Sequence, residues 1–308
     1  MRVAVTGASG FVGGAVCRAL VARGDEVLAY GRRQWVDTDR VGGAAYTSWD
    51  ITEGATGFAG VDVVVHCAGT VTDWGPAEGF FRTNVGGTGR VLEAFPGARF
   101  VHVSTASVYD PYRPTRMATE DQAPARRYVN AYGASKAAAE RAVLAGARDA
   151  VILRPHAVYG PGDTTLLPRV LGAVRGGRLL AVGDGRQRIS LTSLGNLVRA
   201  CLAACSSQRG GIFNVTDAEP VVLDDALREI LAERHLAASP LYLPLRAVLP
   251  LAALVEGAFL LANSSRPPRL TRYAIGHLAV ERTLDITAAR RDLGYAPAAT
   301  SFRGAARW

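Results

Sequence analysis

In the 308-residue chain, Tyr132-Gly133-Ala134-Ser135-Lys136 sets a phenol and an amine four residues apart. On a helix those two side chains share one face. Lys136 is the only lysine among 35 basic residues; every other one is an arginine. A free phenol, with a pKa of roughly 10, exchanges protons poorly at neutral pH, and a neighbouring ammonium stabilises its phenolate. A compact ammonium can also donate to ribose hydroxyls, which the longer planar fork of arginine does less well. The pair therefore reads as a general acid/base, Tyr132, with an electrostatic partner, Lys136. Val103-Ser104-Thr105-Ala106-Ser107-Val108-Tyr109 brings hydroxyls to the end of a predicted strand. One of them can donate to the oxygen of a reacting carbonyl, although such residues also serve as caps and turns.

A second cluster lies at the start of the chain. Thr6-Gly7-Ala8-Ser9-Gly10-Phe11-Val12-Gly13 follows a first apolar run and opens a helical pattern. Gly7 suits a tight turn, Gly10 lets backbone N–H groups approach a pyrophosphate, and Gly13 allows close helix-to-strand packing, so a dinucleotide is expected here. The next strand ends Tyr30-Gly31-Arg32-Arg33, without the acid that binds the ribose hydroxyls of NAD. Arg32 or Arg33 can instead pair with a 2′-phosphate, which favours NADP over NAD. Asp50 is expected near the adenine amino group, with Ile51 packed on the ring. His156 titrates in the right range for acid/base work but reads as a packed residue.

These groups need a scaffold. Val3 to Val5, Val27 to Tyr30, Val61 to His66, Phe100 to Val103 and Val151 to Leu153 have the character of buried parallel strands. Helical spacing fills Val12 to Ala22, Phe80 to Phe95 and Tyr132 to Leu144. The alternation predicts an α/β fold, a doubly wound parallel Rossmann sheet with a smaller, mostly helical C-terminal lobe. Residues 1–160, with a returning segment at about 189–216, form the expected nucleotide domain. Residues 161–188 and 217–308 form the expected substrate lobe; beyond Pro161, helices are expected over Leu166 to Arg175, Leu194 to Cys205 and Leu223 to His235 and a strand over Gly211 to Val215.

Composition narrows the class further. Apolar residues make up 49% and charged residues 20%, which excludes disordered, collagenous and coiled-coil chains. The net charge is +8, but the arginines are scattered, so no nucleic-acid partner is expected. Cys17, Cys67, Cys201 and Cys205 form no metal-binding spacing and read as reduced, structural residues, with no metal expected. The N-terminus lacks the pattern of a secretory signal, which makes a cytoplasmic location the default. The stretch 241–262 is very apolar, yet Pro244, Arg246, Pro250 and Glu256 argue against a membrane span. A buried helix is the favoured reading, with an interfacial membrane helix or a wall for an apolar substrate as alternatives.

Together, the T-G-x-x-G-x-x-G and Y-x-x-x-K motifs resemble the extended short-chain dehydrogenase/reductases, over nearly the whole chain. Asp62 to Gly69, Asn84-Val85-Gly86-Gly87-Thr88 and Arg154 to Gly162 are similar to further motifs of that family. The resemblance implies that Thr105 is the catalytic hydroxyl with Ser104 as neighbour, and that Asn84 holds a structural or proton-relay position. It also implies that Ala68 and Gly69 flank the cofactor and that Pro155, His156 and Val158 pass the nicotinamide. Asp110 replaces a usual glycine. Sugar-nucleotide dehydratases of the family carry Asp-Glu where this chain has Ala106 and Ser107, so dehydration is not expected. Arg154 to His156, Gly160 to Pro168, the 241–262 stretch and Pro268 to Thr271 resemble the 3β-hydroxysteroid and sterol dehydrogenase branch, whose bacterial relatives include 2-alkyl-3-oxoalkanoate reductases. The implied activity is interconversion of a ketone and a secondary alcohol on an apolar substrate. Arg186 or Arg188 leaves a sugar-nucleotide epimerase as an alternative, and a non-catalytic NADP sensor or scaffold is a third. The family also implies a homodimer, formed through the helices carrying Asn84 and Tyr132.

Overall fold

The computed structural model describes residues 1–54, 58, 60–111, 113–262, 264, 266–268 and 271–308. The strands of the central sheet are β1 Arg2–Thr6, β2 Glu26–Gly31, β3 Ala45–Ser48, β4 Val63–His66 and β5 Arg99–Val103, followed by Ala150–Pro155 and Gly211–Val215. The helices are α1 Phe11–Arg23, α2 Ala77–Phe81, α3 Thr88–Ala94, α4 Ala131–Gly146, α5 Leu166–Gly172, α6 Leu194–Ser206, α7 Leu223–Glu233, α8 Leu245–Leu261, α9 Arg272–Leu278 and α10 Thr287–Leu293. The seven strands lie in the order Gly211–Val215, Ala150–Pro155, β5, β4, β1, β2, β3. All neighbours are parallel. Winding reverses between β1 and β4, so the carboxyl ends of these strands open a crevice of the kind that holds ligands in doubly wound sheets.

Alternation along the strands builds two cores. Val3 and Val5 of β1 pack with Val16, Cys17 and Leu20 of α1 and with Leu197, Ala200 and Cys201 of α6. Ala4 points the other way, into a cluster with Val64, Phe100, Val91 of α3 and Val143 of α4. Cys17, Cys201 and Cys205 are buried packing residues, and burial pushes the Cys17 and Cys205 thiols up to about 12.

Three departures from the sequence reading have physical causes. The helix expected over Phe80 to Phe95 is present as a continuous run from α2 to α3, but it is loosened by a π-helical turn at Arg82–Gly87. A Cβ on Gly87 would sit 2.6 Å from Cδ1 of Ile51, so this turn packs closer to Ile51 than a side chain allows. The third strand expected before Asp50 is β3, whose bounds the sequence does not mark because Ala45–Ser48 is a half-exposed edge strand without an apolar run. The C-terminal part carries α5 and α7 to α9 and also short strands, among them Arg178–Val182 paired with Ser239–Leu243.

The favoured reading of 241–262 needs correction. It is a strand, Ser239–Leu243, followed by α8, and only Val248, Ala252 and Glu256 of α8 are buried. Four-residue spacing of those three gives a narrow inward stripe, and most of the remaining circumference is apolar and exposed. Hydropathy alone does not reveal whether a partner element exists to cover such a helix.

Candidate active site

The glycine turn is built by close approach. Gly7 has φ +71, and a Cβ there would lie 2.7 Å from the backbone N of Ala68. A Cβ on Gly13 would lie 2.3 Å from the carbonyl O of Gly7. The Gly10 N–H donates to Gly7 O at 2.9 Å, and Gly10 opens α1 without a side-chain cap. A helix N-terminus offering backbone N–H groups at a cradle too tight for side chains fits the pyrophosphate of a dinucleotide. Phe11 lies against Gly162, and Val12 is half-buried beside it in the chain. Gly69 approaches Asn84 so closely that a Cβ would lie 3.0 Å from its Oδ1.

At the end of β2, Arg32 and Arg33 are exposed. A Cβ at Gly31 would meet Ser9 Oγ at 2.7 Å and the Tyr46 hydroxyl at 3.0 Å, so no acid fits there without movement. Tyr46 itself donates to the Arg33 carbonyl at 2.8 Å. Burial pushes the Asp50 carboxyl up, but bonds from Thr52 N and Oγ1 and the charges of Arg32 and Arg82 prevail, holding it below its ordinary value. Ile51 is buried in the α3 and α4 core.

Tyr132 lies in the first turn of α4, whose N-cap Asn130 accepts from Gly133 N at 3.1 Å. Burial raises its phenol above the usual value, and a hydrogen bond with Thr105 lowers it. Thr105 caps the turn after β5, accepting from Ser107 N at 3.1 Å and donating to Ser107 Oγ at 3.1 Å. Ser107 Oγ in turn lies 2.9 Å from the hydroxyl of Tyr273, whose ring stands edge-on to Tyr132. Tyr132, Thr105, Ser107 and Tyr273 thus form one connected hydroxyl group. The sequence reading missed Tyr273; its only signal was its position two residues past Thr271, and Arg269 and Leu270 of that motif lie outside the described residues.

Lys136 is placed differently from what its spacing suggests. Its Nζ donates to the Val103 carbonyl at 2.7 Å and lies 3.3 Å from His102 Nε2. Burial brings the ammonium down to about 8, against the raising effect of Glu140. Its charge is not among the interactions that shift Tyr132. His66 and His102 are neighbours in register on β4 and β5 and stack at 5.3 Å. His66 Nδ1 meets Thr6 Oγ1 at 2.6 Å and Nε2 meets Thr88 Oγ1 at 2.9 Å.

Asn84 sits in the π-helical turn. Its Oδ1 accepts from Thr70 N at 2.8 Å, and its Nδ2 donates to Thr70 O at 3.2 Å and Ser135 Oγ at 2.9 Å. Both amide N–H groups are committed, so of its two expected roles the geometry supports the structural one. Ser104 donates to Glu140, which pairs at 2.7 Å with the fully buried Arg154. Pro155 ends the sixth strand, Val158 is half-buried, and His156 is buried with Nδ1 2.6 Å from Ser190 O. Burial takes His156 down to about 4, so it is neutral at physiological pH.

A cavity beside Ser107 and Tyr273 is lined also by Asn130, His156 and Leu284. A wider groove is lined by Val71, Thr72, Thr164, Thr165, Pro168 and Arg169. Across it Asp73 accepts from Arg169 at 2.7 Å and Thr271 at 2.9 Å. Arg186 and Arg188 are exposed and line neither space. Among the described residues no cluster of His, Cys, Asp or Glu is placed to hold a metal.

Seven parallel strands in this order, with a glycine cradle at the first turn, define a nucleotide-dependent enzyme of the Rossmann type. Residues 3–216 match the NAD dependent epimerase/dehydratase family, and the chain belongs to that family. It is 32% identical to the 2-alkyl-3-oxoalkanoate reductase of Stenotrophomonas maltophilia, over 96% of this chain and 95% of the relative. It is 30% identical to the decarboxylating sterol-4-alpha-carboxylate 3-dehydrogenase of Homo sapiens, over 79% of this chain and 69% of the relative. The solved structure of MoeE5 in complex with UDP-glucuronic acid and NAD matches with a TM-score of 0.73 at 26% identity, covering 99% of this chain and 96% of that one.

Proposed function

We propose that the protein is an NADP-preferring oxidoreductase that interconverts a ketone and a secondary alcohol on a largely apolar substrate of the 3-oxo acid or sterol type. The observation that carries this reading is the buried Tyr132 in the first turn of α4, with Thr105 at the carboxyl edge of β5 and Ser107 and Tyr273 beside a cavity. The two relatives named as a reductase and a dehydrogenase support the reaction class. Gly31 with Arg32 and Arg33 supports the 2′-phosphate.

Gly7, Gly10 and Gly13 would hold the pyrophosphate, and Arg32 or Arg33 the phosphate on the ribose. When bound, the reduced nicotinamide supplies the hydride. Reduction of a carbonyl adds that hydride at carbon and one proton at oxygen. Tyr132 delivers the proton from its hydroxyl, and Thr105 donates to the same oxygen, stabilising the charge that develops there. Lys136 holds a buried positive charge one helical turn from Tyr132 and is assigned to meeting the nicotinamide ribose. Asn84 positions the loop after β4 through Thr70, and α4 through Ser135.

The test is fluorescence titration with NADPH and NADH, followed by turnover of a 2-alkyl-3-oxo acid. Tighter NADPH binding that weakens in an Arg32→Ala/Arg33→Ala variant, with one NADPH consumed per ketone, is expected. Equal or tighter NADH binding overturns the phosphate assignment. A bound cofactor regenerated during turnover of a sugar nucleotide overturns the reaction. Binding without turnover of any ketone leaves a sensor.

A further inference from the structure

The exposed face of α8 has no counterpart in the reaction proposed above. From Leu245 to Leu261 the helix carries two charged side chains, Arg246 and Glu256. Glu256 is turned inward and neutralised: its carboxylate accepts from the backbone N and from Nε of Arg272, each at 2.6 Å. The outward face presents Leu249, Leu251, Leu254, Leu260 and Leu261, of which Leu254 is 73% and Leu261 91% exposed. An exposed apolar helix face of this kind marks a contact surface. Exposed arginines bracket it, Arg246 in its first turn and Arg266 just beyond its end.

We propose that α8 docks in the plane of an anionic lipid bilayer, with its leucines in the acyl boundary and Arg246 and Arg266 among the headgroup phosphates. Charge chooses the occupant. A helix face without an exposed acid, framed by arginines on a chain of net charge +8, is complementary to a negative surface and repels a second copy of itself. At 17 residues α8 is about 25 Å long, and no described helix is long and apolar enough to cross a membrane. An interfacial helix needs no such length.

The same helix packs against the loop that carries the groove residues Val71 and Thr72, through Trp74, whose backbone N–H donates to Thr72 Oγ1. Phe259 stands edge-on to Trp74 at 6.4 Å, Trp74 Nε1 donates to Ser264 O at 2.9 Å, and Arg272, held by Glu256, precedes Tyr273. A bilayer touching α8 therefore lies next to the wall of the candidate site, where apolar molecules dissolved in lipid would enter. The docking itself does not depend on the reaction being the one proposed.

The experiment is co-sedimentation of the full chain with vesicles of equal parts phosphatidylglycerol and phosphatidylcholine, and with phosphatidylcholine alone. Binding to the anionic vesicles, weakened by added salt, is expected. A Leu254→Glu/Leu261→Glu variant should bind at least about tenfold more weakly with an unchanged melting temperature. An Arg246→Glu/Arg266→Glu variant should lose the preference for anionic lipid. Absence of binding to the anionic vesicles, or equal binding by the leucine variant, overturns the proposal. So does a dimer that the leucine variant converts to monomer, which would assign the face to a second copy.

Discussion

Nζ of Lys136 lies 3.3 Å from Nε2 of His102, and both side chains are buried. The ring is neutral, because burial first and the Lys136 charge second hold it well below its usual range. A neutral imidazole nitrogen can accept from the ammonium without competing for its proton. The single lysine is thus fixed by two acceptors on β5, His102 and the Val103 carbonyl, before any substrate arrives.

Turnover should fall at alkaline pH as this ammonium discharges. Burial sets the Lys136 value at about 8, so kcat/KM should decline as pH rises through about 8. Glu140 raises that value through its charge. A Glu140→Gln variant should move the alkaline limb to lower pH. It should also cost stability, about 3 kcal/mol, since Arg154 loses its buried partner. An unmoved limb in the pH profile of a folded variant would remove Lys136 from the proposed chemistry.

Replacing Tyr132 by Phe should lower kcat by about 100-fold or more, the size of a lost general acid, with NADPH affinity retained. Tyr273→Phe should act less severely, near tenfold on order of magnitude, because it removes only a hydroxyl that steadies Ser107 and through it Thr105. Steady-state kinetics on both variants checks the ranking. A Tyr273→Phe defect equal to that of Tyr132→Phe would place Tyr273 in direct contact with the reacting oxygen.

Acid should destabilise the fold well above the carboxylate range. Burial lowers His66 to about 3 and His156 to about 4. The unfolded chain binds protons on these rings below about pH 6.5, and the folded chain does not. Stability is therefore full above that pH and is lost as pH falls toward about 4, by up to about 1.4 kcal/mol per pH unit for each ring. Urea melts at pH 7 and pH 5 should show the loss; equal midpoints would contradict neutral burial.

Gly13→Ala should destabilise although alanine favours helices by up to about 1 kcal/mol. The new Cβ meets Gly7 O at 2.3 Å, and overpacking of backbone costs about 2 kcal/mol or more. The melting temperature should drop and NADPH binding should weaken together. Unchanged values for both would mean that the cradle yields more easily than its contacts imply.

Where the sequence was informative, a local pattern and the tertiary demand coincided. The strand Gly211–Val215 has the bounds that its apolar run predicts, and α1 follows its glycines as expected. Tyr132 could be singled out by its helical spacing from the sole lysine, and Thr105 by a strand end rich in hydroxyls together with the family resemblance. Tyr273 could not, since it reaches Ser107 across 166 positions of chain. His102 was hidden in a strand that reads as apolar, and its meaning comes from parallel register with His66 and from the facing helix α4. The exposed leucines of α8 misled for a related reason: composition reports how much apolar surface an element has, not which neighbour meets it.

The crowding at Gly31 constrains how coenzyme choice can change by mutation. Gly31→Asp, the single step that would install a ribose-binding acid, forces a Cβ within 2.7 Å of Ser9 Oγ. Ser9→Gly taken first clears that atom and the Ser9 Cβ at 3.3 Å. The Tyr46 hydroxyl at 3.0 Å still has to give way, so the two changes are coupled, and an acid at position 31 is accommodated more easily after Ser9→Gly than before it.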